Sequence, residues 1–99
     1  MATFGITHFF KGGTQEQYDN SVRRAHPDEG KGLPPGQTYH AAGPTAGGFL
    51  IVAMWDSKAS WEKFRDDTLG PVLSSIENPL PAPPEEKEFQ VSNEQTASA

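Results

Sequence analysis

One stretch of the chain is apolar from end to end: residues 49–55, FLIVAMW. Seven residues are short for a core helix but match the length of one strand. A strand without polar alternation fits the centre of a sheet, covered on both faces. The flanking sequence has to be arranged around it. Residues 43–48 (GPTAGG) have the composition of a turn, and residues 37–42 (QTYHAA) before them read as a short strand. Together the two strands predict a hairpin.

Further strands and helices extend outward from this hairpin. Residues 3–10 (TFGITHFF) are rich in β-branched and aromatic side chains and read as a first strand. Thr14 then opens a helix, with Gln17 three residues on, the spacing of a capping box. Tyr18, Val22 and Ala25 make one narrow apolar stripe on it, and Pro27 stops it. Residues 28–36 (DEGKGLPPG) are a loop by composition. After the apolar strand, Asp56 and Ser57 both suit a helix N-cap, and Trp61, Phe64, Thr68 and Leu69 repeat at helical spacing. Gly70-Pro71 is expected to interrupt that helix, with a short turn or two after it. Residues 78–84 (NPLPAPP) read as an extended linker, and residues 85–91 (EEKEFQV) as a last strand whose charges guard an exposed edge.

The order β-α-β-β-α-β predicts an α+β, ferredoxin-like domain: a four-stranded antiparallel sheet with both helices on one face. Residues 1–92 form that single domain, and residues 93–99 are expected to be a flexible tail. With no helix left for the second sheet face, another copy of the chain is its expected cover, which predicts a homodimer.

Composition narrows the function classes. Of 99 residues only 8 are Lys or Arg, and the net charge is −5. A chain with no basic stripe lacks the usual attraction for phosphates, so no nucleic-acid role is expected. The same charge disfavours anionic membrane surfaces, and no apolar run approaches the length of a membrane span. The first residues show no signal-peptide pattern. There are 0 Cys, which excludes thiolate chemistry and disulfides and fits a cytoplasmic setting. Three His with no paired spacing give no sequence-level metal site, and no cofactor is expected.

At these residues the chain resembles the dimeric α/β-barrel superfamily, which includes antibiotic-biosynthesis-monooxygenase-like proteins. The carriers are the strand ending in Gly12-Gly13, the helix opening Thr14-Gln15-Glu16-Gln17-Tyr18, and Val52-Ala53-Met54-Trp55-Asp56-Ser57 leading into Trp61-Glu62-Lys63-Phe64. The resemblance spans roughly residues 3–92. It implies two sheets enclosing an apolar cavity for an aromatic or polyketide-like substrate, and no catalytic residue carries over by position.

The residues themselves supply the candidates. His8 interrupts an apolar strand, which is costly for an imidazole without a partner. His40 interrupts another, next to Tyr39, so strand alternation sends one of that pair to each sheet face. His8 and His40 are the candidate catalytic bases, and Tyr39, Trp55 and Phe49 the candidate substrate-binding residues. Trp61 and Phe64 read as core. His26 reads as an exposed helix-end residue favoured by the helix dipole. Two functions follow from the same residues. One is a cofactor-independent oxygenase or isomerase acting on a small aromatic or polyketide-like molecule. The other is a non-catalytic dimeric carrier or sensor of an apolar ligand.

Overall fold

The computed structural model describes residues 2–81 and 83–97. Met1, Ala82, Ser98 and Ala99 lie outside them, and with them one position of the expected linker and the end of the expected tail. The elements run β1 (Phe4–Lys11), α1 (Gln15–Ala25), β2 (Gln37–Thr45), β3 (Gly48–Trp55), α2 (Lys58–Phe64), α3 (Gly70–Ser75) and β4 (Glu85–Gln90). All pairings are antiparallel, in the order β2-β3-β1-β4. This is a small α+β domain with an open sheet, compatible with a ferredoxin-like fold.

The helix starts follow from their caps. Thr14 accepts from the Gln17 amide at 3.2 Å, while the Gln17 side chain accepts from the Thr14 amide at 3.0 Å. Ser57 caps α2 by accepting from the Ser60 amide at 3.2 Å. Gly70-Pro71 does not break the second helix as expected. Arg65–Leu69 form a π-turn between α2 and α3, in which the Gly70 amide bonds the Arg65 carbonyl five residues back. The widened turn accommodates a Pro71 that would otherwise clash with the preceding turn.

Strand β2 runs three residues further than its composition predicts, through Pro44 to Thr45. Because β2 is an edge strand, proline's missing donor costs no ladder bond on the open side. The connection to β3 shrinks to Ala46-Gly47, where Gly47 takes φ +84°.

Sheet register sorts the side chains. Phe4, Ile6, His8 and Phe10 of β1 pair with Trp55, Ala53, Ile51 and Phe49 of β3, and all face the helices. They build two core clusters there. One holds Phe4, Ile6, Ala25, Ala53, Trp55, Trp61 and Phe64. The other holds Phe10, Phe49 and Leu80, with Tyr18 and Ile51 against it. His8 stands between the two on β1. Contrary to the two-sided burial that the 49–55 run predicts, β3 is covered on one face in the single chain. Leu50, Val52 and Met54 lie on the other, half-buried or exposed.

Candidate functional site

A cavity of about 170 Å³ opens between the sheet and the helix layer within one chain. That is the helix side, not the space between two sheets that the family resemblance implies. Its wall is almost wholly apolar: Ile6, Ile51, Trp55, Trp61, Phe64 and Leu80 are representative. Three histidines and a tyrosine are set into it.

His8 is buried on β1, and β1–β4 register places Glu86 opposite it. The His8 Nε2 lies 2.9 Å from Glu86 Oε2. A carboxylate can only accept, so the hydrogen sits on Nε2 and the lone pair on Nδ1. Burial lowers the His8 pKa, and the hydrogen bond and charge of Glu86 oppose that shift. The ring also packs against Trp61, with centroids 5.1 Å apart.

His40 projects to the same side from β2, opposite Ala53 of β3. The Tyr18 hydroxyl from α1 meets its Nε2 at 2.6 Å. Burial pushes the Tyr18 phenol up, so it keeps its proton and donates. His40 is pushed down to about 4, first by burial and then by His26. Accepting at Nε2 puts its own hydrogen on Nδ1, which has no partner among the described residues.

His26 differs from its sequence expectation. It is buried, not exposed: its Nδ1 donates to the Gly32 carbonyl at 2.9 Å, and its ring meets His40 edge-on at 4.6 Å. Loop 28–36 folds back to supply that carbonyl, which helical spacing could not show. Burial lowers the His26 pKa as well.

Of the substrate-binding candidates, Trp55 lines the cavity and is fully buried. Phe49 faces the same side but is packed in the neighbouring cluster, stacked on Tyr18 at 4.8 Å. Tyr39 sits on the opposite sheet face, 47% exposed, and is not part of this wall. The sequence reading missed Tyr18, Gln37, Ser21 and Glu86 as lining residues. Only Tyr18, on the apolar stripe of α1, carried a signal pointing inward.

Among the described residues no group of three or more His, Cys, Asp or Glu is placed to hold a metal ion, and no helix is long and apolar enough to cross a membrane. No protein family, curated protein or solved structure matches the chain.

Proposed function

We propose that this chain is a cofactor-independent enzyme that takes a proton from a small aromatic or enolic molecule held in the helix-side cavity. The His8–Glu86 pair carries the proposal. A neutral imidazole with one nitrogen fixed by a carboxylate offers its second nitrogen as a general base, and the carboxylate stabilises the imidazolium that forms. His40 Nδ1–H is a donor suited to the negative charge that develops on the substrate. The resulting anion has two fates. Reprotonation at another atom is an isomerisation; transfer of its electrons to dioxygen, the co-reactant in that case, is an oxygenation. Cavity size favours a one-ring compound, since a cavity of about 150 Å³ holds benzene.

The finer fold assignment belongs to the same reading. The element order and the antiparallel sheet support a ferredoxin-like dimeric α/β barrel, with a second copy on the open sheet face. A cytoplasmic setting rests on the cysteine-free sequence.

The alternative, a carrier that does not turn its ligand over, is favoured by the nearly apolar wall and by the weak basicity of His40. Small phenols and enols, incubated in D₂O or with an oxygen electrode, separate the two. Deuterium incorporation at carbon above the protein-free rate, or oxygen uptake, should fall about 100-fold or more in His8→Gln. Binding without either signal, unchanged by that substitution, would leave the carrier.

A further inference from the structure

Trp55, Trp61 and Gln37 are each more than nine-tenths buried, and each lines the cavity. Trp55 Nε1, Trp61 Nε1 and Gln37 Oε1 have no hydrogen-bond partner among the described residues, and neither has His40 Nδ1. Buried polar atoms are almost always paired, so four unpaired ones around a single cavity form an unusual cluster. Their chemistry is not balanced. The two indole nitrogens can only donate. His40 Nδ1 also donates, because its other nitrogen accepts from Tyr18. Gln37 Oε1 can only accept. The set is three donors and one acceptor in an otherwise apolar wall.

Taking the proton-abstraction reading as its basis, we infer that the ligand class is a neutral, one-ring keto-enol: a cyclic β-dicarbonyl in its enol form. The carbonyl oxygen of such a compound has two lone pairs and accepts two N–H groups. Its enol oxygen accepts the third and gives its own hydrogen to Gln37 Oε1. The ring carbons fill the apolar remainder. A simple phenol has the one donor but a single oxygen for three N–H groups, and a plain hydrocarbon ring satisfies none. In the diketo tautomer the carbon between the two carbonyls loses a proton to His8 Nδ1. The enolate spreads its charge over both oxygens, where the three donors stand, and return of that proton to one oxygen gives the enol whose hydrogen Gln37 Oε1 accepts.

Cyclohexane-1,3-dione is the direct probe, titrated at a pH below its own pKa where it is the neutral enol, with phenol and toluene as ring controls. Both tryptophans line the cavity, so quenching of their fluorescence reports occupancy, and calorimetry checks it independently. The dione should bind about tenfold tighter than phenol, and toluene weakest. Trp61→Phe and Gln37→Leu should each weaken the dione several-fold while leaving toluene unchanged. If either variant fails to fold, the wild-type order of the three ligands still decides. Toluene or phenol binding as tightly as the dione overturns the keto-enol assignment and leaves the proton-abstraction reading standing. Failure of all three rings to bind overturns both. Dione binding with no deuterium incorporation at carbon beyond the protein-free rate would support the ligand class and sink the catalytic reading.

Discussion

His40 is held neutral in the folded chain, and the consequence is a pH-dependent stability of definite sign. Its folded pKa is about 4 against an ordinary 6.5. Between those values the unfolded chain binds a proton that the folded chain refuses, so stability rises with pH across that window and levels off above it. His8 and His26 are shifted the same way by burial. The melting temperature should therefore fall as pH drops from 7.5 to 5, and His40→Gln should flatten part of that slope. A melting temperature constant over the range would mean that these rings are open to solvent in solution. The carboxylates facing the cluster do not reverse the sign. Glu86 opposes the shift of His8 without cancelling it, and His40 and His26 disfavour each other's protonation.

Elements were more legible than partnerships. The capping box was readable because its two residues lie three apart, and local spacing is what a sequence displays. Thr14→Ala should cost about 1 kcal/mol in chemical denaturation, and Thr14→Ser much less. Glu86 shows the opposite case. It reads as one more charge on an edge strand, and only the β1–β4 register brings it to His8, 78 residues away. His26 was unreadable for a related reason, since its burial depends on the return path of a loop rich in Gly and Pro. Gly70-Pro71 misled because the π-turn that absorbs it has no sequence pattern of its own. Leu80 lies within a proline-rich stretch that reads as linker, yet it is buried in the core beside Phe10 and Phe49. Residues 92–97 remain exposed, without helix or strand. The Ala2 amide reaches Glu94 Oε1 at 3.4 Å, a long bond on an exposed acceptor. Truncation after Asn93 should leave the melting temperature within a degree or two of the parent, and a larger loss would show that the tail packs on something further.

At the scale of the whole molecule, the sheet has two unlike faces. The helix side carries the cavity. The other presents Phe9, Tyr39, Leu50, Val52, Met54 and Phe89, with Leu50 36% and Phe89 45% exposed. An apolar face of this kind on a domain of 99 residues is the mark of an interaction surface. Lys11, Glu85 and Lys87 border it on β1 and β4, and the acidic β4 edge discourages strand-to-strand pairing with other chains. Face-to-face packing of two such sheets would cover this apolar patch, and it supports the proposed homodimer. Light scattering at micromolar concentration should give about twice the 10.7 kDa chain mass. Leu50→Lys, which sets a charge in the middle of the patch, should return the mass to that of one chain. Because the cavity lies on the far side of the sheet from this patch, this variant should still bind small rings with affinity within a few-fold of the parent. A monomer that folds but binds nothing would mean that the partner subunit completes the site. A parent protein that is already monomeric would remove the dimer and leave the open face to some other cover.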